Sequence, residues 1–420
     1  MKLLPHQIDA LERTKSFQRV AYYHDMGLGK TFVGAEKMHL LGNRTNLIIC
    51  QKSKLKDWIN HIIMYYPQYK IYDLTSSRYP EYFSCPDRKV GIINYELSFR
   101  RPELLKLSGV TMLLDESSMI QNENAKRTKF ISKINCSAVI LLSGTPVGGK
   151  YENLLSQIRL LGVNISKTLY WSRYIKYRIA NFGGFPQKIV TGYKNVDSLK
   201  KLLHEHGADF LKTEDVLTLP AVRAYKLLSD TDPYYDTLLE SNYLEIKDTV
   251  FEADNVLKKM LYLRELCSIV YCPDKRAKLK DLLDSTSSRV VIFYNWNIEF
   301  EHLVDMISDT RPVSVVNGKT KDLDSYDKYE DSITLVQYQA GAMGLNLQKS
   351  HIIIYISLPL SSELYEQSKK RIHRVGQQNN CLYYLLLCKD SIEQNIHKTL
   401  LKRQNYTEEL FIQDYERKGI

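Results

Sequence analysis

The chain has 420 residues, of which 44% are hydrophobic and 25% are charged, the mixture of an ordinary globular protein. This length predicts roughly two or three domains, and the composition excludes a disordered tail protein, a collagen-like rod and a small disulfide scaffold. Seven cysteines are scattered along the chain without a CxxC pair, so neither a zinc site nor a redox motif is predicted. No apolar run approaches the roughly 18 residues of a membrane span, and the amino terminus lacks the pattern of a signal peptide. We therefore expect a protein of the cytoplasm, or of the nucleus if the source is eukaryotic, with no membrane partner.

The positive charge is concentrated in the first half of the chain. Residues 1–220 carry 32 basic and 19 acidic side chains, a net charge of +13, whereas residues 221–420 carry 26 and 29, a net charge of −3. Such asymmetry favours a polyanionic partner, most simply a nucleic-acid backbone. The alternative is a solvated surface that binds no ligand.

Short apolar runs alternate with amphipathic segments through the first third of the chain. The predicted strands there are NLIICQ (46–51), KVGIINYE (89–96), TMLLDE (111–116) and AVILLSGT (138–145). Buried parallel strands have this near-continuous apolar character. Strands that alternate with helices predict a doubly wound parallel sheet of the α/β class.

The alternation stops at residue 152 and resumes near residue 288. Residues 152–216 and 234–283 have a mostly helical pattern. Strands are then predicted at SRVVIFYN (288–295), PVSVVNG (312–318), SITLVQYQ (332–339), HIIIYISL (351–358) and CLYYLLLC (381–388). We therefore predict two α/β lobes, at residues 1–220 and 221–420, each with a helical insertion.

The segment HDMGLGKT (24–31) lies between an apolar run and a predicted helix, which is the context of a phosphate-binding loop. Gly27 and Gly29 allow backbone N–H groups to turn toward phosphate oxygens. Lys30 would reach the β- and γ-phosphates, and the hydroxyl of Thr31 would bind Mg²⁺. The motif is incomplete because His24 stands at its first glycine position. The alternative is a glycine loop that ends in a surface lysine.

An acidic pair ends the predicted strand TMLLDE. Ligands of open α/β sheets collect at the carboxyl ends of the strands, so Asp115 is a candidate Mg²⁺ ligand. Glu116 is a candidate base that orients and deprotonates the attacking water. The alternative is the capped start of a helix, for which the following serines are suited.

The segment EQSKKRIHRVGQQ (366–378) is rich in basic residues. At helical spacing Arg371 and Arg374 share a face, and two guanidinium groups could stabilise the charge of a phosphoryl transition state. The alternative is a solvated basic helix or a nuclear-localisation patch.

Aromatic residues alternate with cations in WSRYIKYR (171–178). This pattern is compatible with an additional contact to DNA through stacking and charge. The alternative is an amphipathic helix whose aromatic side chains pack inward.

Taken together, these motifs resemble the superfamily 2 helicases and translocases, and more closely their Swi/Snf branch. The resemblance runs from Leu4 to about Gln377, and the RxHRxGQ ending separates this branch from the RNA helicases. The matching segments are LLPHQIDAL, HDMGLGKT, LIICQKSKLKDW, IINYE, LLDESSMIQN, LLSGTP, DFLKTEDVLTLP, LRELCSIVYCPDK, VVIFYNW, QAGAMGLNL and QSKKRIHRVGQ. The resemblance implies two RecA-like lobes, and the compactness of the chain hints at a phage or bacterial member of the branch.

The resemblance implies an ATP hydrolase that moves along duplex DNA rather than single strands, as a monomer. In the first lobe Gln7 would contact adenine, and Ser143 and Thr145 would couple the ATP site to the nucleic-acid site. The implied nucleic-acid contacts are Lys52, Ser53 and Lys54 in the first lobe and Gln339, Ala340 and Gly341 in the second. Arg371 and Arg374 would complete the ATP site when the lobes close.

The chain departs from the branch at several positions. The sequence DESS replaces DEAH or DEGH, which implies that the link from this motif to Ser143 is rewired, and His24 replaces an aspartate. Ser357 and Leu360 stand where the branch favours Asp and Trp. Two other functions stay open, namely a helicase that separates strands of DNA or RNA and a catalytically idle scaffold that binds nucleic acid.

Overall fold

A computed structural model describes residues 2–144, 146, 150–182, 185–247, 249–341 and 345–402. The chain divides into two compact units, with the boundary between Thr218 and Leu219. Within these residues, no helix combines the length and the apolar character that crossing a bilayer requires.

The first unit is built on a sheet of seven parallel strands in the order β3-β4-β2-β5-β6-β1-β9. Strands β7 and β8 form a separate antiparallel hairpin. The strands of the unit are β1 (Arg19–His24), β2 (Thr45–Cys50), β3 (Lys70–Asp73), β4 (Lys89–Asn94), β5 (Val110–Asp115), β6 (Cys136–Leu142), β7 (Ile175–Phe182), β8 (Phe185–Tyr193) and β9 (Ala208–Leu211). The four predicted strands of this half correspond to β2, β4, β5 and β6, and β1, β3 and β9 are additional strands of the sheet.

Helices cover both faces of this sheet. They are α1 (Pro5–Arg13), α2 (Lys30–Leu40), α3 (Leu55–Tyr65), α4 (Pro80–Ser84), α5 (Tyr95–Ser98), α6 (Lys126–Ile131), α7 (Leu155–Leu160), α8 (Lys167–Tyr174), α9 (Val196–Glu205) and α10 (Thr213–Val216). In β5 the side chains of Met112 and Leu114 enter one core and that of Leu113 enters the other, because successive side chains of a strand point to opposite faces.

The second unit repeats this architecture with a seven-stranded sheet in the order β10-β18-β17-β13-β16-β14-β15. All pairs are parallel except the pair β14–β15. The strands are β10 (Val222–Ser229), β11 (Tyr243–Ile246), β12 (Thr249–Glu252), β13 (Val290–Tyr294), β14 (Val313–Val316), β15 (Lys321–Asp322), β16 (Ile333–Gln337), β17 (Ile352–Tyr355) and β18 (Cys381–Cys388).

Two hydrophobic cores also flank this second sheet. The helices are α11 (Pro233–Ser241), α12 (Val256–Leu266), α13 (Pro273–Asp284), α14 (Asn297–Ile307), α15 (Asp324–Lys328), α16 (Tyr338–Gly341), α17 (Ser362–Lys369) and α18 (Ile392–Leu401). Two mainly parallel sheets covered by helices confirm the predicted α/β class and the two RecA-like lobes. In each lobe the carboxyl ends of the parallel strands meet at one edge, where open α/β sheets bind ligands.

The two blocks that we predicted as helical, 152–216 and 234–283, are only partly so. Antiparallel β7 and β8 interrupt the first block and antiparallel β11 and β12 interrupt the second. Ile175, Tyr177 and Ile179 alternate with cations, which is the period of a strand rather than of a helix. In the second hairpin the paired residues Leu244 and Phe251 are both buried, so packing of one apolar face stabilises the strands.

Candidate functional site

The predicted phosphate loop connects β1 to α2, and two glycines in left-handed conformations shape it. Gly27 has φ of 89° and Gly29 has φ of 72°, which glycine adopts without the steric cost of a Cβ. Gly29 precedes the first residue of α2, Lys30. A Cβ at Gly29 would lie 2.3 Å from Nε2 of Gln7, so a side chain there would displace the Gln7 amide. Strand, glycine loop and helix thus follow one another as the motif requires.

The side chain of Lys30 curls back over this loop. Its Nζ donates hydrogen bonds to the backbone oxygens of His24 and Asp25, at 2.9 and 3.3 Å. Thr31 follows in the first turn of α2, where the helix terminus carries partial positive charge. The ammonium therefore lies at the helix start, where anionic oxygens bind readily.

Gln7 ties the amino-terminal helix α1 to the loop. Its Nε2 donates to the backbone oxygen of Leu28 at 3.1 Å, and its Oε1 accepts from the backbone N–H of Leu4 at 2.9 Å. The side chain is buried. Gln7 therefore fixes the position of the loop from behind, and the predicted contact to adenine stays a prediction.

The acidic pair lies where β5 ends. Oδ2 of Asp115 accepts a hydrogen bond from Nε1 of the buried Trp58 at 2.8 Å. Burial raises the pKa of Asp115 above its usual value, and the hydrogen bond from Trp58 acts in the opposite direction. The positive charges of Lys54 and Lys30 also lower this pKa. Asp115 therefore lies within electrostatic reach of the lysine of the phosphate loop.

Glu116 has an unusual backbone conformation. Its φ of 54° and ψ of 62° are left-handed, which costs a non-glycine residue about 1 kcal/mol or more. The hydroxyl of Tyr95 donates to the backbone oxygens of Asp115 and Glu116, at 2.9 and 3.3 Å. Strained residues of this kind cluster at functional sites, so the conformation is in keeping with a functional role for Glu116.

The phosphate loop and the acidic pair converge on the carboxyl edge of one sheet. Strand β6 pairs with both β1 and β5, so the segment after β6 lies between the two motifs. A Cβ at Gly144 in that segment would lie 3.3 Å from Nζ of Lys30. Ser143 is buried, and its N–H donates to the backbone oxygen of Tyr22 at 3.3 Å. Thr145 lies outside the described residues.

A buried glutamine that sequence reasoning missed connects these segments. Oε1 of Gln157 accepts from the hydroxyls of Ser117 and Tyr23, at 2.8 and 3.0 Å. Nε2 of Gln157 donates to the backbone oxygen of Pro146 at 2.7 Å. The amide thereby joins β1, the residue after the acidic pair and the segment after β6. No local sequence pattern marks it, because its partners are 11 to 134 residues away.

The histidine that replaces the usual aspartate has a partner of its own. Nε2 of His24 lies 2.7 Å from Oδ2 of Asp209, and Arg13 donates to both oxygens of Asp209, at 2.7 and 3.0 Å. Burial alone would raise the pKa of Asp209, but the hydrogen bonds from His24 and Arg13 hold it below its usual value. Burial lowers the pKa of His24. The network joins α1, β1 and β9 directly before the phosphate loop.

The predicted nucleic-acid contacts of the first unit lie in a short 3₁₀ turn after β2. This turn spans Lys52–Lys54, and Lys52 is exposed. Nζ of Lys54 forms an ion pair with Asp57 at 2.8 Å. The turn therefore presents cations at the same edge of the sheet as the phosphate loop.

The predicted helical face with Arg371 and Arg374 is wrong, because α17 ends at Lys369. The backbone oxygen of Arg371 accepts from the N–H of Leu347 at 3.0 Å instead of continuing a helix. Arg371 is 7% exposed. The guanidinium of Arg374 donates to the backbone oxygen of Leu345 and to the side-chain oxygen of Asn346, and burial lowers the pKa of Arg374.

The end of the RxHRxGQ motif is not helical, and side-chain hydrogen bonds hold it in place. Gly376 has φ of 93°, and the buried Gln377 follows it. Nε2 of Gln377 donates to the backbone oxygens of Gln348, Ser350 and Ile372. The glycine and the glutamine therefore hold the arginine-bearing segment in shape.

The predicted contacts of the second unit follow β16. Gln339 lines a cavity of about 280 Å³ at the carboxyl edge of the second sheet, together with Arg264, Asn295 and Gln337. Ala340 is buried and Gly341 is the last residue of α16, so these two can contribute only backbone groups.

Next to this cavity lies Glu299, another residue that the sequence did not reveal. Its Oε2 accepts from the N–H of Asn295 and from the hydroxyl of Ser357, both at 2.9 Å. Burial raises the pKa of Glu299 to about 7. Ser357, which replaces the aspartate of the Swi/Snf branch, therefore serves as a donor to a buried carboxyl group.

Comparison with known proteins identifies the family. Residues 18–271 match the model of the SNF2-related domain, and residues 274–376 match that of the helicase conserved C-terminal domain. A solved structure described as the Sulfolobus solfataricus SWI2/SNF2 ATPase core in complex with dsDNA is similar, with 17% identity and a TM-score of 0.45 over 96% of this chain and 91% of the other.

Curated relatives are similar over most of this chain. A Caenorhabditis elegans homolog of SWI/SNF-related matrix-associated actin-dependent regulator of chromatin subfamily A-like protein 1 is 24% identical, over 93% of this chain and 59% of its own length. An uncharacterized ATP-dependent helicase of Mycoplasma genitalium is 24% identical, over 93% and 40%. The human DNA annealing helicase and endonuclease ZRANB3 is 22% identical, over 93% and 39%. The chain thus spans about 40 to 60% of the length of these relatives. Since the SNF2-related domain alone covers more than half of its residues, the chain belongs to the SNF2-related family.

Proposed function

We propose that this protein is a motor that hydrolyses ATP and translocates on duplex DNA, coupling each hydrolysis to closure of its two lobes. The observation that carries the proposal is the convergence of the phosphate loop and the acidic pair at one sheet edge. Lys30 and Gly144 are neighbours there, and the charge of Lys30 acts on Asp115. Relatives named ATP-dependent helicases support the proposal.

The residues at this edge suit Mg·ATP. A threonine hydroxyl and a carboxylate, from Thr31 and Asp115, are hard oxygen ligands of the kind that Mg²⁺ prefers. Bound Mg²⁺ would supply neutralisation of charge on the phosphate oxygens. The ammonium of Lys30 donates to carbonyl oxygens of the loop itself, and phosphate oxygens would take the place of these acceptors.

Each remaining group then has one task. Glu116 orients and deprotonates the attacking water, and Gln7 selects adenine beside Gly29. In the second lobe Arg374 stabilises the transition-state charge, and Arg371 supports it. An arginine in this role contributes a factor of about 10³ or more to the rate, which is enough to make hydrolysis depend on both lobes.

DNA contacts follow from the same edges of the two sheets. Lys52, Ser53 and Lys54 in the first lobe, and Gln339 with the backbone of Ala340 and Gly341 in the second, contact phosphates. Such contacts follow a backbone without reading bases, as a motor that moves over any sequence requires. Ser143 and Thr145 couple them to the ATP site, since Gly144 between them borders Lys30.

The first experiment measures ATP turnover with duplex DNA, single-stranded DNA and RNA. We expect duplex DNA to stimulate the wild type most, and Lys30→Ala and Glu116→Gln to lose at least about 100-fold of the stimulated rate. Lys201→Ala and Glu205→Gln remove the same charges from an exposed ion pair on α9, and these matched controls should keep it. A wild type that turns over ATP no faster than the Lys30 variant would favour the idle scaffold.

The second experiment separates translocation from strand separation and tests the arginine. Displacement of a triplex-forming strand without unwinding of a duplex is the expected result, and unwinding without triplex displacement would favour the strand-separating helicase. Arg374→Ala should bind an ATP analogue as tightly as the wild type and lose turnover. Weakened nucleotide binding in that variant would contradict the assigned role.

A further inference from the structure

The hairpin of β7 and β8, residues 175–193, lies in the most one-sidedly charged part of the chain. Residues 153–196 contain seven lysines and arginines and no aspartate or glutamate. These cations are Arg159, Lys167, Arg173, Lys176, Arg178, Lys188 and Lys194. We call residues 175–193 the basic hairpin.

Most of this charge is directed to solvent. Arg159 and Lys167 form ion pairs with Glu123, at 2.8 and 3.1 Å. The other five are exposed, and in the part of the chain that the structure describes none of them pairs with a carboxylate. Uncompensated cations on an exposed hairpin create a local positive potential. Such a potential has no evident use within the unit itself.

The base of the basic hairpin is anchored firmly. The hydroxyl of Tyr193 donates to Oε2 of Glu152 at 2.8 Å, and the rings of Tyr193 and Tyr151 pack edge to face at 4.9 Å. Tyr170, in the helix that leads into β7, is buried and donates to the backbone oxygen of Tyr151 at 2.6 Å. Tyr151 follows Pro146 by five residues. Tyr151 and Glu152, which follow the Gly144 segment in the chain, therefore hold the base of the hairpin.

Cations lie on both faces of the ribbon. Ile179 pairs with Lys188 across the strands, and Tyr177 is on the same face, whereas Lys176 and Arg178 alternate to the opposite face. Nζ of Lys188 lies 4.4 Å from the ring centroid of Tyr177 and 5.4 Å from that of Trp171. Contact with these rings holds the ammonium in place and leaves it exposed.

We propose that the basic hairpin contacts the phosphodiester backbone of duplex DNA, outside the motor motifs. Its charge is complementary to a polyanion, and a two-stranded β-ribbon fits the major groove, where cations on both faces can reach a phosphate strand. The contact rests on the proposed function, because it takes duplex DNA as the ligand of this family member. An acidic protein surface is the competing occupant.

The test measures the salt dependence of binding to a duplex of mixed sequence. The variant Lys176→Ala/Arg178→Ala/Lys188→Ala removes three hairpin cations. The matched control Lys200→Ala/Lys280→Ala/Lys328→Ala removes three exposed lysines from α9, α13 and α15. Each phosphate contact contributes about 0.9 to the slope of log affinity against log salt. We expect the hairpin variant to lose roughly 2.7 of that slope, and the control and the charge-preserving Lys176→Arg/Arg178→Lys/Lys188→Arg to keep it.

The outcomes distinguish this contact from the motor function. Suppose that the hairpin variant shows the same salt slope as the control and that duplex DNA still stimulates its ATP turnover. This result would overturn the proposed contact and leave the proposed motor function intact. An unchanged slope accompanied by loss of binding to a polyglutamate probe would assign the hairpin to an acidic protein surface instead. A wild type that neither binds duplex DNA nor responds to it would refute the proposed function first. Equal melting temperatures of the variants show that any loss is not a loss of fold.

Discussion

Replacing Gln157 by leucine should destabilise the first lobe and slow ATP turnover, because one buried amide serves three partners. The side chain is 0% exposed, and leucine has a similar volume, so the change creates little cavity. The hydroxyls of Ser117 and Tyr23 would lose their acceptor. A buried polar group left without a partner costs about 1–3 kcal/mol, so two such groups predict a loss of about 2–6 kcal/mol.

Tryptophan fluorescence during denaturant unfolding measures this loss. Two of the three tryptophans, Trp58 and Trp171, lie in the first lobe. Tyr23→Phe removes one donor and leaves the amide its other partners, so it should cost only about 0.5–1.5 kcal/mol. Adding Tyr23→Phe to Gln157→Leu removes a stranded hydroxyl and should therefore recover part of the loss. This double-mutant cycle isolates the bond between the two side chains.

The same variant tests the connection to catalysis. Gln157 belongs to neither the phosphate loop nor the acidic pair, but it holds the segments that follow Glu116 and Gly144. We therefore expect kcat to fall while the KM for ATP changes little. A loss of stability below about 1 kcal/mol, or a cycle without coupling, would refute the network. A normal kcat in a destabilised variant would confine the amide to a structural role.

Three further predictions concern the first lobe. Gly29→Ala should weaken nucleotide binding, since its Cβ would lie 2.3 Å from Nε2 of Gln7 and displace that amide from the loop. Gly42→Ala has the same φ of 72° and open space around it, so it should cost only the strain of about 1 kcal/mol. Equal effects of the two variants on binding, measured by calorimetry, would contradict the close contact. Trp58→Phe removes a hydrogen bond that lowers the pKa of Asp115, so the KM for ATP should rise most at acidic pH, and parallel pH profiles would count against it. Burial lowers the pKa of His61 to about 4, below the value of about 6.5 in an unfolded chain. Because the unfolded state binds the proton first, the free energy of unfolding should fall as the pH drops from about 6.5 to 4, by up to about 1.4 kcal/mol per pH unit. His61→Phe should flatten this slope in denaturant unfolding measured at pH 7, 6 and 5.

The features that were predicted correctly from the sequence are those that a local residue pattern determines. Each predicted strand has enough apolar residues to be recognised on its own, and a motif at the end of a strand must lie at the carboxyl edge of a parallel sheet. The phosphate loop is local in the same sense, because Gly27 and Gly29 supply the positive φ angles that the turn requires.

Only one of the two errors had a signal in the sequence. The alternation of Ile175, Tyr177 and Ile179 with cations has the period of a strand, but aromatic residues and cations also suit an amphipathic helix. For Arg371 and Arg374 the basic run favoured a continuous helix, and the glycine that could end it, Gly376, lies beyond both arginines. The end of α17 at Lys369 is therefore set by tertiary contacts that the local sequence does not show.

Other features had no local signal at all. Asp209 meets His24 across 185 residues of chain, and Gln157 meets Tyr23 across 134. Such pairs depend on which strands become neighbours, and β9 was not among the predicted strands. The polar residues that support the site were therefore beyond reach, although the residues of the motifs themselves were not.

The departure DESS in the acidic motif has a structural counterpart in this support. Ser117 stands where the branch has Ala or Gly, and Ser118 stands where it has His. The hydroxyl that Ser117 adds over those residues donates to the amide of Gln157 on α7, and the same amide donates to the backbone oxygen of Pro146. The residue after the acidic pair and the segment after β6 are therefore connected through a helix 40 residues further along the chain. It follows that a serine at this position requires a side chain on α7 that accepts its hydroxyl, a requirement that alanine or glycine would not impose.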